Sequence, residues 1–153
     1  MKTAATFASL SHYHEELDQL FDSHQRGLLG SDIDLALTAL SKFSSELGNH
    51  IDFEEKRLLP LYADQGADVP GGTLEIFQAE HRKLREGVAN LIQRTEQLYA
   101  MPDLPGGILA LLSDEAVFKN LFHHHTTREQ KILFPRLDER STKKERETWL
   151  AGD

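Results

Sequence analysis

Two imidazole–carboxylate pairs recur at the same spacing along this chain. His50 precedes Glu54 by four residues, and His125 precedes Glu129 by four residues. On a helix this spacing stacks both side chains on one face, one turn apart. Imidazoles and carboxylates without thiolates are a ligand set that suits iron and, less specifically, manganese or zinc. The pairs therefore indicate a metal site, provided that the surrounding sequence forms helices and turns these faces inward.

Apolar residues recur at steps of three and four in four segments, which predicts four amphipathic helices. The helices are expected at roughly 3–29, 32–60, 72–100 and 107–135. No segment shows the alternation that is typical of a strand. Short connections within the first two and the last two helices make the members of each pair antiparallel neighbours. The sequence therefore predicts one domain over residues 1–153, an all-α, up-down-up-down four-helix bundle.

Breaker residues and charge define the ends of these helices. Pro60 and Pro135 are expected to close or kink the second and fourth helices, because the proline ring clashes with the carbonyl four residues earlier. Residues 136–153 form a charged tail that is expected to end in a short helix around Trp149.

The chain also repeats a helix pair. A shift of 67 residues aligns His14 with His81 and aligns the apolar residues around them. A shift of 75 residues aligns the two imidazole–carboxylate pairs and the prolines that follow them. A single pair at this spacing is common by chance and is usually a surface pair. Its duplication at equivalent places favours a shared site.

These polar residues lie on the apolar faces of the predicted helices. A carboxylate in a core is strongly unfavourable unless it is paired or bound to a cation. At about 1.5 Å of rise per residue, the four histidines reach the same level of the bundle. Two metal ions would satisfy all six groups if each ion took two histidines and the carboxylates bridged them. The predicted metal ligands are His14, His50, Glu54, His81, His125 and Glu129.

Other polar residues on these helices are weaker candidates. His12 lies about 200° around the first helix from its predicted ligand, and His24 lies about 15 Å further along the same face. His24 is therefore expected to be a buried or half-buried histidine near a helix end. His123 and His124 are expected at the surface. Asp18 could orient a ligand histidine, but a solvent-exposed aspartate is the simpler expectation.

Composition excludes several classes of function. The net charge of −8 argues against nucleic acid or an anionic membrane as the main partner. The absence of cysteine excludes disulfides, thiolate metal sites and a cysteine nucleophile. The first ten residues are too weakly apolar for a signal peptide, and no apolar run approaches the length of a membrane span. A cytoplasmic location is the default expectation.

The segments that carry these ligands resemble the HHE cation-binding domain of hemerythrin-like proteins. The resemblance rests on His14–Phe21 (HEELDQLF), His50–Pro60 (HIDFEEKRLLP), Glu80–Arg85 (EHRKLR) and His125–Pro135 (HTTREQKILFP). It covers nearly the whole chain up to Leu137. It implies a four-helix bundle with a carboxylate- and oxo-bridged pair of iron ions held by the six predicted ligands. Zinc or manganese can replace iron in a recombinant sample.

The chain departs from the oxygen-carrying hemerythrins at two positions. Those proteins have a second histidine where this chain has Arg85, and their last carboxylate is an aspartate one residue beyond the position of Glu129. The set of four histidines and two glutamates is instead similar to that of bacterial di-iron proteins for the repair of iron–sulfur clusters. Those proteins carry a cysteine-containing N-terminal domain, whereas this chain contains no cysteine.

Three functions are compatible with this resemblance. The first is reversible binding of O2 or NO for sensing, storage or protection. The second is a di-iron enzyme or iron donor that acts on NO, peroxide or damaged iron–sulfur clusters, and the third is a bundle with structural metal. The sequence assigns no catalytic residue and no protein partner. The residues expected to form a dry wall beside the open coordination position are Leu17, Phe43, Phe118 and Phe122.

Overall fold

The computed structural model describes residues 6–67 and 69–150, and these residues form a helical protein. The α-helices are α1 (Ser11–Leu29), α2 (Ile33–Phe53), α3 (Leu59–Asp64), α4 (Leu74–Gln97), α5 (Leu104–Arg128), α6 (Phe134–Glu139) and α7 (Lys143–Leu150). Two π-helical turns, Glu54–Leu58 and Glu129–Leu133, and two 3-10 turns, Phe7–Leu10 and Leu98–Ala100, complete the described elements. The expected start of the first helix at residue 3 and the end of the tail at 151–153 lie outside the described residues.

The predicted four-helix bundle is confirmed. Within the described residues, the four long helices α1, α2, α4 and α5 pack in a closed ring, because α1 and α4 each contact both α2 and α5. The turn between α1 and α2 is short, and the Asp32 carboxylate accepts the backbone N–H of Leu35 at 3.0 Å to cap α2. None of the helices in this part of the chain is long and apolar enough to cross a bilayer.

The helical path does not end at the two prolines, contrary to the sequence prediction. Leu59 donates its backbone N–H to the Glu54 carbonyl, and Phe134 donates to the Glu129 carbonyl, which are π-type bonds. Each proline then lies in the first turn of the following α-helix, where a missing N–H is tolerated. The chain consequently stays helical as far as Asp64 and, in the second half, as far as α6.

The helix α5 also begins earlier than predicted, at Leu104 rather than at residue 107. The Asp103 carboxylate caps it by accepting the Gly106 N–H at 3.1 Å, and Pro105 fits the first turn. At the other end of the chain, α7 contains Trp149 as expected. The tail is not wholly solvated, because Leu137 is fully buried.

The core consists of two apolar clusters with a polar layer between them. The larger cluster contains Leu17, Ile51, Leu84 and Phe122, among other residues. The smaller cluster contains Leu10, Leu58, Phe77 and Leu133, among other residues. Along each helical path, the predicted metal ligands lie between a residue of one cluster and a residue of the other. The apolar packing on both sides therefore fixes the level at which the polar side chains meet.

The close approach of α1 and α2 depends on Gly27. A Cβ atom there would lie 2.7 Å from the backbone nitrogen of Ala36 and 2.9 Å from its Cα. A Cβ atom at Gly48, on α2, would meet only the Arg85 guanidinium at 3.7 Å, which is an ordinary contact. The two glycines therefore provide a matched pair for testing this packing.

We expect Gly27→Ala to lower the free energy of unfolding by about 1–2 kcal/mol, because backbone must move to admit the methyl group. Gly48→Ala is expected to raise it by about 0.5–1 kcal/mol, because alanine is the better helix former. Urea unfolding of both variants in the presence of a chelator measures the difference. Equal effects of the two substitutions would contradict the close contact of α1 with α2.

Candidate metal centre

The structure brings all six predicted ligand residues together in the polar layer. They form two overlapping groups, and in each group the ligand atoms lie within 4.8 Å of one another. One group contains Glu54, His81, His125 and Glu129, and the other contains His14, His50 and Glu129. Glu54 and Glu129 have no exposed surface, and His50 is the only member that is half-buried rather than buried.

The four imidazoles form two pairs. The ring centroids of His14 and His50 are 5.4 Å apart, and those of His81 and His125 are 4.8 Å apart. The rings meet edge to face in both pairs, with interplanar angles of 85° and 68°. Each pair joins one helix of the first half of the bundle to a neighbour, so both pairs depend on the register of the helices.

Each carboxylate lies between the two imidazole pairs. The Oε1 atom of Glu54 is 3.2 Å from Nε2 of His50 and 3.5 Å from Nε2 of His81. The Oε1 atom of Glu129 is 3.2 Å and 3.1 Å from Nε2 of the remaining histidine of each pair. Every carboxylate thus contacts one imidazole from each pair, which is the arrangement that a bridging carboxylate requires.

The ligand atoms in this layer lack ordinary hydrogen-bond partners. Among the described residues, Nε2 of His14, His81 and His125 and both carboxylate oxygens of Glu54 and Glu129 are buried and accept or donate no hydrogen bond. A buried polar atom left in this state costs about 1–3 kcal/mol, and more when it is charged. Metal ions satisfy all of these atoms at once, so the residues fit a bound metal pair.

The electrostatics of the layer prepare these groups for a cation. Burial alone would raise the pKa of Glu54, but the nearby imidazoles outweigh it and lower the pKa to about 2. Burial lowers the pKa of His14 and of His125, which favours the neutral ring that a metal requires. Burial also acts to lower the pKa of His81, but Glu54 and Glu55 outweigh it and raise this pKa.

The Nδ1 atoms of two ligand histidines contact carboxylates outside the layer. His81 Nδ1 lies 3.0 Å from Glu55 Oε1, and His125 Nδ1 lies 3.1 Å from Glu80 Oε1. The Glu80 carboxylate also accepts the Arg128 Nε–H at 3.2 Å. A carboxylate that accepts Nδ1–H fixes the tautomer in which Nε2 carries the free lone pair, and it orients the ring.

A neutral group takes the same place beside the first helix. His14 Nδ1 lies 3.2 Å from the side-chain amide of Gln130, whose oxygen can face the ring to accept Nδ1–H. Sequence reasoning missed Glu55, Glu80 and Gln130. A signal was present, because Glu55 and Gln130 directly follow the two glutamates and occupy equivalent places in the repeat.

The two π-helical turns begin at the glutamates of the site. Glu54 and Glu129 are each the first residue of such a turn. A π-helical turn widens the helix by one residue and often marks a functional site. The hydrophobic periodicity of the sequence assigns these residues to an inward face but carries no sign of the wider turn.

The remaining histidines lie outside the two ligand groups, as expected from the sequence. His12, His123 and His124 are exposed, and so is Asp18. His24 is fully buried, and its Nδ1–H donates to the Ala36 carbonyl at 2.8 Å.

The second nitrogen of His24 has a buried partner that the sequence did not reveal. Its Nε2 lies 2.5 Å from Glu115 Oε2, and neither side chain has exposed surface. The other carboxylate oxygen of Glu115 accepts an N–H of Gln25 at 3.1 Å. This histidine and this carboxylate are therefore satisfied by protein groups alone.

One side of the polar layer adjoins apolar residues, and another adjoins a cavity. Phe43 and Phe122 are buried with ring centroids 5.6 Å apart, and Leu17 and Phe118 belong to the same cluster. A cavity of about 380 Å³ lies between α1 and α2, and His50 lines it. Its other lining residues include Tyr13, Leu17, Leu20, Lys42 and Glu46. The centre is thus closed by apolar side chains on one side and approached by a partly polar cavity on another.

The fold and the site together define a four-helix bundle whose core contains a cluster of four histidines and two glutamates able to bind metal ions. In comparisons with models of protein families, with curated proteins and with solved structures, nothing matches this chain.

Replacing His24 with alanine is expected to lower the free energy of unfolding by about 3–5 kcal/mol, because Glu115 is left buried without its partner. Metal content should be unchanged, since the pair lies outside the ligand groups. Chemical unfolding in a chelator and elemental analysis of the loaded protein measure the two effects. Loss of metal at unchanged stability would place His24 at the centre and shift the site along the bundle.

Proposed function

We propose that this protein is a hemerythrin-like metalloprotein whose core binds two iron ions. The ligands would be the six residues predicted from the sequence: His14, His50, Glu54, His81, His125 and Glu129. The observation that carries the proposal is the set of buried imidazole nitrogens and carboxylate oxygens that have no hydrogen-bond partner in the described part of the chain. No other arrangement of charges on the described residues neutralises two glutamates at this depth.

The geometry of the cluster supports two ions rather than one. The imidazoles form two pairs, and each glutamate contacts one imidazole of each pair. Each ion would therefore have two nitrogen ligands and a share of both carboxylates. Nitrogen and oxygen ligands of this kind suit iron, and zinc or manganese can take the same positions in a recombinant sample.

We further propose that the centre reversibly binds O2 or NO for sensing, storage or protection. An iron pair supplies redox-active metal with coordination positions that the six residues leave open. Leu17, Phe43, Phe118 and Phe122 are buried beside the polar layer and would exclude water from it. Such a wall favours small, weakly polar ligands and slows irreversible oxidation of the metal.

A second candidate is an enzyme that consumes peroxide or NO or that donates iron. The observation that favours it is the cavity between α1 and α2, because polar side chains of Lys42 and Glu46 line it together with His50. A partly polar approach admits a polar substrate more readily than the apolar wall does. The same six residues would hold the metal in both cases.

Metal analysis tests the ligand assignment. We expect about two iron ions per chain after anaerobic purification, and we expect His81→Ala to bind one ion or none, because it loses a ligand that Glu54 and Glu55 orient. His12→Ala is the matched control, since His12 is an exposed histidine. Two ions per chain in the His81 variant would show that the assignment is wrong.

The response of the reduced protein to air separates the two candidate functions. A visible charge-transfer band that appears with O2 and disappears on degassing, over repeated cycles, is expected for reversible binding. An enzyme would instead show rapid bleaching together with consumption of peroxide or NO, measured with electrodes in the same cuvette. The absence of any spectral change in protein loaded with iron would contradict both functions.

A further inference from the structure

The two halves of the site differ in the charge of the groups that orient their histidines. Glu55 and Gln130 occupy equivalent places in the repeat, each directly after a glutamate of the cluster. Glu55 lies 3.0 Å from Nδ1 of His81, and Gln130 lies 3.2 Å from Nδ1 of His14. The repeat thus puts a carboxylate behind one histidine and a neutral amide behind its counterpart.

The neighbouring histidine strengthens this difference. His125, which pairs with His81, also has a carboxylate behind its ring, because Glu80 lies 3.1 Å from its Nδ1. Arg128 shares the charge of Glu80, so Glu55 is the carboxylate of this pair that no described cation contacts. Both rings of one pair are therefore backed by carboxylates, whereas His14 in the other pair is backed by an amide.

A carboxylate and an amide act differently on a bound metal. Both can accept Nδ1–H and orient the ring, but the carboxylate also raises the basicity of Nε2 and adds negative charge near the cation. Replacing such a group typically changes metal affinity about 10- to 100-fold. Since the Glu55 side chain is 41% exposed, solvent screens it, and the lower end of this range is expected.

We propose that Glu55 and Gln130 make the two metal positions unequal. A divalent cation binds first at the position of His81 and His125, and a second cation binds more weakly at the position of His14 and His50. Glu55 and Gln130 are positioning residues that set the order of loading and allow two different metals to be placed in a fixed order. This inference rests on the proposed binding of two ions in the core.

Zinc titration of the full chain, stripped of metal with a chelator and labelled with 15N at histidine, tests the order. We expect the Nε2 resonances of His81 and His125 to shift during the first equivalent, and those of His14 and His50 to shift during the second. Competition with a chromophoric chelator should give two dissociation constants that differ about tenfold or more.

Exchanging the two orienting groups provides the decisive variants. Glu55→Gln should weaken the first site and narrow the ratio of the two constants about tenfold, and Gln130→Glu should narrow it by tightening the second site. The double variant should reverse the order in which the histidines shift. Glu86→Gln, at an exposed position of α4, is the control that removes one negative charge elsewhere and should leave the ratio unchanged.

The outcomes separate this inference from the function on which it rests. Simultaneous shifts of all four histidines, an earlier shift of His14, or a ratio that the two single variants leave unchanged would overturn the inequality while two bound ions still support the proposed function. Failure of the stripped protein to bind zinc in the core would overturn both. Gln130→Glu retains every group around His81, so it tests the inequality even if Glu55→Gln does not fold.

Discussion

The burial of two glutamates and their imidazole neighbours between two apolar clusters is the constraint on which the rest of this structure depends. The carboxylate oxygens have no hydrogen-bond partner among the described residues, and the lowered pKa of Glu54 keeps that group anionic. Such a layer opposes folding unless cations enter it. Metal binding and folding are consequently coupled, and the apolar clusters on both sides must hold the helices together before the layer is neutralised.

Several local features follow from this constraint. The π-helical turns begin at Glu54 and Glu129, so the helix is wider where each carboxylate enters the core. The same wide turn brings the next residue, Glu55 or Gln130, to the Nδ1 atom of a histidine on another helix. A single local distortion therefore supplies both a bridging carboxylate and the group that orients a neighbouring ligand.

The bundle and the six residues of the layer were predictable from the sequence because both depend on periodicity. A three- and four-residue repeat determines which face of a helix turns inward, and the duplication of the His–Glu pair at a shift of 75 residues brings equivalent residues to one level. Periodicity does not determine which atom a side chain outside the core reaches. The contacts of Glu55 and Glu80, and the helical path through Pro60, depend on backbone geometry that changes within one turn, so they were not predicted.

The pair formed by His24 and Glu115 shows why burial alone does not indicate a metal. Both side chains are as deeply buried as the glutamates of the layer, yet His24 binds the Ala36 carbonyl and Glu115, and Glu115 also accepts from Gln25. The same chain therefore satisfies one buried imidazole and carboxylate with protein hydrogen bonds, at a place where the helices allow it. In the polar layer the helices instead direct Nε2 atoms and carboxylate oxygens at one another without hydrogen-bond geometry, and a cation is the partner that such an arrangement fits.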